Sequence, residues 1–80
     1  MEKLLMDVSL GNNLRCLRKS KGFSQSALVA QMQIMGSNIS RTTYNKIEQG
    51  TRNIYVSDLI RLQRIYSVSF DAFFKDIEIL

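Results

Sequence analysis

The stretch SRTTYNKIEQG, residues 40–50, decides the fold that we predict for this chain. Ser40 belongs to a residue type that caps the start of a helix, and Gly50 to one that ends it. Helix geometry then places Tyr44 and Ile47 on one face and the polar side chains on the opposite arc. The stretch therefore predicts a short amphipathic helix with a buried back and a polar front. The side chains of this polar front are Arg41, Thr42, Asn45 and Lys46.

The apolar spacing on either side of this stretch predicts four further helices. The first spans residues 10–21 and stops at Gly22. The second runs through the sequence SQSALVAQM, the fourth through VSDLIRLQRIY, and the fifth is the short segment FDAFFKD. Each of the four has, directly before it or within its first two residues, a serine that can cap its N-terminus. These serines are Ser9, Ser24, Ser57 and Ser69.

Helices two and three are joined by an unusually long connection, residues 33–39, of sequence QIMGSNI. Gly, Ser and Asn in succession are a turn signal. Two conformations are open: helix two gains an extra turn through residues 33–35, or a loop bulges from the surface. In either case Ile39 can pack against the start of helix three.

The composition predicts one all-α domain. The chain has 80 residues, no Pro and four Gly, and it lacks the long alternating apolar runs of a sheet protein. We place the domain at residues 9–75. Residues 1–8 are expected to be a flexible or weakly helical extension, and residues 76–80 an apolar tail.

The charge is concentrated in the body of the chain. The net charge is +4, but residues 8–66 contain nine Lys and Arg against two acidic residues, and both ends are net acidic. A basic body favours a polyanion as partner, the alternative being a solvated surface without a binding role.

Several classes of protein are disfavoured. There is no His and a single Cys16, so the sequence offers no zinc ligand set and no internal disulfide. Cys16 is expected to be a buried or half-buried small side chain in a reducing compartment, the cytoplasm. No nucleophile with a base at suitable spacing and no phosphate-binding loop is present, so we predict no enzyme, no cofactor and no small-molecule ligand. The start of the chain is too weakly apolar for a signal peptide or membrane span.

Three segments together resemble the helix-turn-helix domains of the phage Cro/CI repressor type. They are LGNNLRCLRKSKGFSQSALVAQM, ISRTTYNKIEQGTRN and DLIRLQRIYSVSFDAFF, which cover most of residues 10–74. The resemblance implies a five-helix, lambda-repressor-like fold. It also implies a sequence-specific transcriptional regulator, a repressor that acts by occupying its site. In this class helix three, here residues 40–49, lies in the major groove of DNA.

The resemblance also implies roles for individual residues. Arg41 and Thr42 match the main base-contacting positions, and Asn45 and Lys46 the secondary ones. Arg41 could pair with guanine and Asn45 with adenine. The resemblance also implies that four residues contact the DNA backbone: Ser24, Gln25, Gln49 and Arg52. For Arg52 a solvated role without a DNA contact is also open.

A partly buried ion pair between Arg18 and Glu48 is also implied by the resemblance; it would join helix one to the end of helix three. The chain departs from the family pattern in two places. The connection before helix three is longer than the usual tight turn, and Tyr44 stands where the family has a branched aliphatic residue. We expect Tyr44 to fill core volume with its hydroxyl near the surface, the alternative being a contact with a base.

Members of the family bind palindromic operators as dimers, which implies a homodimer on double-stranded DNA. The apolar C-terminal residues could form the dimer patch, or Phe70 and Phe73 could close the core while the remainder frays. The alternative function is an antitoxin or other protein-interaction module in which DNA binding is secondary. The candidate patch consists of Phe73, Phe74, Ile77, Ile79 and Leu80.

Overall fold

Four α-helices and one 3-10 helix surround the core in the computed structural model, which describes residues 3–4 and 8–77. Two short strands pair in antiparallel fashion beside them. The helix-turn-helix pair is α2 and α3. The elements in chain order are β1 (Lys3–Leu4), α1 (Val8–Ser20), α2 (Gln25–Ile34), α3 (Arg41–Glu48), β2 (Ile54–Tyr55), α4 (Val56–Tyr66) and the 3-10 helix (Phe70–Phe74).

The predicted fifth α-helix is wrong, because the segment forms a 3-10 helix. The backbone N–H of Ala72 donates to the carbonyl of Ser69 at 3.1 Å, a bond that spans three residues rather than four. The Ser69 side chain makes no capping hydrogen bond. The fully buried Phe73 side chain is drawn into the core, so packing determines this tight turn rather than a capped helix start.

Of the five predicted serine caps, two are confirmed and three are wrong, Ser69 among them. Ser24 and Ser40 have extended backbones, and their hydroxyls accept the N–H groups of Ala27 and Thr43, each at 3.1 Å. Ser9 and Ser57 instead lie inside helices that begin one residue earlier. Before α4 the extended backbone comes from strand β2, so this helix starts without a serine cap.

The long connection adds an extra turn to α2, which continues to Ile34 before Gly36 turns the chain at φ +98°. Arg61 of α4 holds the end of this turn. Its Nε donates to the carbonyl oxygen of Met35 at 3.2 Å, and its Nη1 lies 2.8 Å from Asp58 Oδ1. The hydrogen bonds of Arg61, on α4, therefore fix the segment that leads into α3.

At the residues described, the N-terminal extension pairs with β2 and runs into α1. Lys3 pairs with Tyr55 and Leu4 with Ile54, and Val8 already belongs to α1. Residues 3–4 therefore form a short strand and not a weak helix, and the first predicted helix begins at Val8. Residues 1–2 and 5–7 lie outside the described part of the chain.

The core is built from all four α-helices, β2 and the 3-10 helix. Tyr44 fills core volume as expected, but its hydroxyl is buried as well, so the expectation that the hydroxyl lies near the surface is wrong. Cys16 is exposed on α1, so its expected burial is wrong. The core residues with no exposed surface at all are Leu14, Leu28, Met32, Tyr44, Leu62 and Phe73.

Burial corrects the candidate dimer patch. Phe73 is 0% exposed and belongs to the core, so it cannot contribute to a surface patch. Phe74 is 41% exposed, and Ile77 is half-buried against the core. Ile79 and Leu80 lie outside the described residues. Only part of the proposed patch is therefore available on the folded chain.

Gly11 lies where α1 packs against the C-terminal end of α3. A Cβ atom here would overlap the carbonyl oxygen of Glu48 and lie 2.8 Å from that of Ile47. Both are backbone atoms, which cannot swing aside like the end of a flexible side chain. The absence of a side chain at this position therefore allows the close approach of the two helices.

We expect Gly11→Ala to lower the free energy of unfolding by about 2 kcal/mol, because an added methyl group forces α1 away from α3. The higher intrinsic helix preference of Ala over Gly would by itself raise the free energy of unfolding by up to about 1 kcal/mol. The packing effect and the helix-preference effect therefore differ in sign. Urea unfolding followed by circular dichroism measures the change. The control is Asn12→Ala at the exposed neighbouring position. Equal stability of Gly11→Ala and the wild type would contradict the close approach.

Candidate nucleic-acid interface

Helix α3 presents most of the polar front to solvent. Arg41, Thr42 and Lys46 are exposed, whereas Tyr44 and Ile47 are buried behind them. The helix begins at the Ser40 cap, and the chain turns away at Gly50, where φ is +79°. An exposed face with two cations and a hydroxyl is chemically suited to phosphate oxygens and base edges.

Asn45 differs from the other residues of the polar front because it is half-buried. Its Oδ1 accepts a hydrogen bond from Gln25 Nε2 at 3.0 Å, which connects α3 to the first turn of α2. Asn45 lies one turn after Arg41 on the helix. It therefore stands between the exposed front and the interior of the domain.

Glu48, at the end of α3, is 1% exposed and is bound by Arg18 of α1. Arg18 Nε donates to Glu48 Oε2 at 2.7 Å, and Arg18 Nη2 donates to Oε1 at 3.1 Å. The remaining guanidinium nitrogen, Nη1, donates to the carbonyl oxygen of Phe23 at 2.8 Å. This bidentate geometry is the strong form of an Arg–carboxylate contact.

Gln25 adds a third helix to this contact. Its Nε2 donates to Glu48 Oε1 at 3.1 Å as well as to Asn45. Arg15 Nε, on a side chain that is 45% exposed, lies 3.7 Å from the same carboxylate. We call Glu48, Arg18, Gln25 and Asn45 the Glu48 cluster. It joins α1, α2 and α3 through one buried carboxylate.

The cluster keeps Glu48 ionised. Burial alone would raise the pKa of this carboxyl group, but the interactions with Arg18, and to a smaller extent with the nearby Tyr44 hydroxyl and Gln25, outweigh it and lower the pKa. The hydrogen bond to Glu48 raises the pKa of Arg18 in turn. The charged pair is therefore the stable form at neutral pH.

Two tyrosines pack next to this charged pair. Within the described residues, neither the Tyr44 nor the Tyr66 hydroxyl has a hydrogen-bond partner of normal geometry. Burial raises the pKa of both hydroxyls well above the ordinary value, so they remain neutral. Tyr44 thus acts as an apolar anchor behind the polar front.

The residues predicted to contact the DNA backbone lie at three places. Ser24 and Gln49 are exposed at the start of α2 and the end of α3, and Arg52 is exposed in the following turn. The Ser24 hydroxyl is occupied by its capping hydrogen bond. The Gln25 side-chain amide is directed into the Glu48 cluster, so only its backbone N–H is available to a phosphate.

Sequence reasoning overlooked the close approach at Gly11, the position of Arg15 beside the Glu48 carboxylate, and the participation of Gln25 in the Glu48 cluster. A glycine inside a helical pattern is a signal of close packing, and it would have pointed to Gly11. No sequence signal distinguishes an inward-facing Gln25 from an outward-facing one. Among residues 3–4 and 8–77, no cluster of potential metal ligands is found, and no helix in this part is long and apolar enough to cross a membrane.

A family model described as a helix-turn-helix domain matches residues 9–72, so the chain belongs to this family and is a DNA-binding regulator. The chain is also similar to two controller proteins. It is 33% identical over 72 residues to the control protein C.MunI of a Mycoplasma species, covering 89% of this chain and 90% of that protein. Its structure matches the crystal structure of the restriction-modification controller protein C.AhdI from Aeromonas hydrophila with a TM-score of 0.72. That match has 27% identity and covers 84% of this chain and 94% of C.AhdI.

We expect Glu48→Ala to lower thermal stability much more than Arg41→Ala does. Removing the carboxylate leaves Arg18 buried without its partner, which typically costs about 3–5 kcal/mol, whereas Arg41 is exposed on the polar front. Melting curves of the two variants and the wild type measure the difference. If both variants melt at the same temperature, the Glu48 cluster does not stabilise the fold.

The stabilisation from Glu48 should be lost in acid. Because the pKa of Glu48 is lower in the folded chain, its contribution is complete above the ordinary pKa of 4.5 and disappears as the pH falls through the folded value. Urea unfolding of the wild type and Glu48→Gln from neutral to strongly acid pH tests this. The stability difference should be constant near neutrality and shrink below pH 4.5. A difference that persists unchanged into strong acid would contradict the assigned role.

Proposed function

We propose that this chain is a controller of a restriction-modification system and regulates transcription by binding an operator. The similarity to C.MunI and C.AhdI supports this, since each match covers at least 84% of this chain and at least 90% of the relative. The fold accounts for the DNA-binding part of the proposal. The link to restriction and modification rests on these two relatives.

In the proposed complex α3 lies in the major groove, with Arg41 and Thr42 against base edges and Lys46 as a further contact. The observation that supports this most is the combination of an exposed polar front with a rigid back. Tyr44 and Ile47 are buried behind the front, and Glu48 is bonded to two other helices. A base-contacting helix held in this way loses little conformational entropy on binding.

Contacts to the DNA backbone would flank α3. Ser24, Gln49 and Arg52 are exposed around it, and the N-terminus of α2 directs free backbone N–H groups outward beside the Gln25 position. These contacts would fix the orientation of α3 without reading sequence. We include the backbone N–H of Gln25 among them, since its side chain is engaged elsewhere.

We further propose that the chain acts as a homodimer in the cytoplasm and represses transcription by occupying a palindromic operator. Phe70 and Phe74 are 44% and 41% exposed at the C-terminal side of the domain and supply apolar surface for self-association. Two copies related by a two-fold axis would then match the two halves of a palindrome. The exposed Cys16 thiol is compatible with a reducing compartment.

Selection of bound sequences from a random pool of double-stranded DNA tests this proposal. We expect a palindromic consensus and an affinity that falls steeply with salt, the slope of log K against log salt being about −0.9 for each phosphate neutralised. Failure to enrich any sequence would contradict a sequence-specific regulator. It would favour a protein-interaction module in which DNA binding is secondary.

Arg41→Ala should relax the base preference at one position of each half-site and weaken binding to the consensus about tenfold, because the exposed guanidinium contacts a base edge. Arg64→Ala is the matched control, since it removes the same charge from an exposed position on α4. It should leave the base preference unchanged. If Arg41→Ala weakens all sequences equally, Arg41 contacts phosphate and not a base.

A further inference from the structure

We infer that Arg15 of α1 binds a phosphate of the DNA backbone beside the first turn of α2. The inference rests on the proposed docking of α3 in the major groove and adds to it a contact from a third helix. The guanidinium of Arg15 lies next to the Glu48 cluster, is partly exposed, and carries a positive charge that the cluster leaves uncompensated.

The first step concerns the hydrogen bonds of the Glu48 carboxylate. Each carboxylate oxygen has two lone pairs with which to accept hydrogen bonds. Oε1 of Glu48 already accepts one from Arg18 Nη2 and one from Gln25 Nε2, each at 3.1 Å. Arg15 Nε lies 3.7 Å from the same oxygen, which is close enough for an ion pair and too far for a hydrogen bond. Glu48 therefore attracts the Arg15 side chain without engaging its N–H donors.

The second step is the charge balance at this place. Arg18 and Glu48 carry opposite charges, so the Glu48 cluster is neutral as a whole. Arg15 adds one positive charge, and Glu48 is the only acidic group that it contacts among the described residues. The Arg15 side chain is 45% exposed and makes no hydrogen bond with the described residues. Its N–H groups are therefore available to a negatively charged ligand that accepts hydrogen bonds.

The third step places this charge relative to the polar front. Arg15 and Gln25 approach the same oxygen of Glu48, so the Arg15 guanidinium adjoins the start of α2, where backbone N–H groups point outward. Gln25 also bonds to Asn45, which lies beside the exposed front on α3. A helix in the major groove has a phosphate backbone along each of its sides. The side of α3 that carries Asn45 and Glu48 would face one of these backbones, and Arg15 stands on that side.

Arginine is chemically suited to this contact, because its planar guanidinium can donate two parallel hydrogen bonds to phosphate oxygens. The ion pair with Glu48 restrains the Arg15 side chain before DNA binds, so less conformational entropy is lost on binding. A phosphate contact carries no base information. Arg15 therefore contributes to the affinity and its salt dependence, and not to the base preference.

The salt dependence of DNA binding by Arg15→Ala tests the inference. The probes are the duplex that the wild type selects from random DNA and an unrelated duplex of the same length. We expect the slope of log K against log salt to become less steep by about 0.9 for each bound subunit, and binding to both duplexes to weaken about fivefold per subunit at about 0.15 M salt. Arg15→Lys keeps the charge and should keep the wild-type slope. Arg64→Ala, which removes the same group from an exposed position on α4, is the control and should leave the slope unchanged.

Melting curves separate this role from a structural one. Because Arg15 makes only a long contact with Glu48, Arg15→Ala should fold and melt close to the wild type. A variant that does not fold, or that melts as low as Glu48→Ala, would overturn the inference, since Arg15 would then be needed to hold the buried carboxylate. A folded Arg15→Ala protein with the wild-type slope, or one that loses base preference at a single position, would overturn it as well. Absence of salt-dependent DNA binding by the wild type would instead remove the proposed function itself, and the inference with it.

Discussion

The carboxylate of Glu48 is the group on which the arrangement of the domain depends. A buried charge is costly unless partners satisfy it, and here Arg18 binds both oxygens while Gln25 donates to one of them. These partners come from the first two helices and Glu48 from the third. One requirement, the pairing of a single buried charge, therefore sets the position of α1 and α2 relative to the helix that carries the polar front.

Backbone packing and a second ion pair support the same helix from its two ends. At its C-terminal end, α1 approaches closely because Gly11 has no side chain. Before its N-terminal end, Arg61 of α4 bonds to Asp58 and to the carbonyl oxygen of Met35, which fixes the extra turn of α2. The lengthened connection therefore leads to α3 through a defined turn. A fixed α3 is what base recognition requires, since a small displacement would break hydrogen bonds to base edges.

Local sequence signals predicted the helix-turn-helix pair well, because its caps are local interactions. Ser24 and Ser40 each bond to a backbone N–H three residues later, a contact that depends on short-range geometry alone. Ser9, Ser57 and Ser69 carry the same signal, yet none of them caps a helix. At Ser57 the pairing of β2 determines where α4 begins, and at Ser69 the burial of Phe73 determines a 3-10 turn.

The sequence by itself determined the all-α class and the two central helices. It also determined that Arg41, Thr42 and Lys46 are exposed and that Tyr44 and Ile47 are buried, because helix periodicity assigns each side chain to a face. Only the tertiary structure decided the environment of Gln25, Asn45 and Gly11. Their roles depend on groups 20 to 37 residues away in the chain, which periodicity cannot bring together. The same holds for Phe73, a candidate for the surface patch that the packing of the whole domain buries in the core.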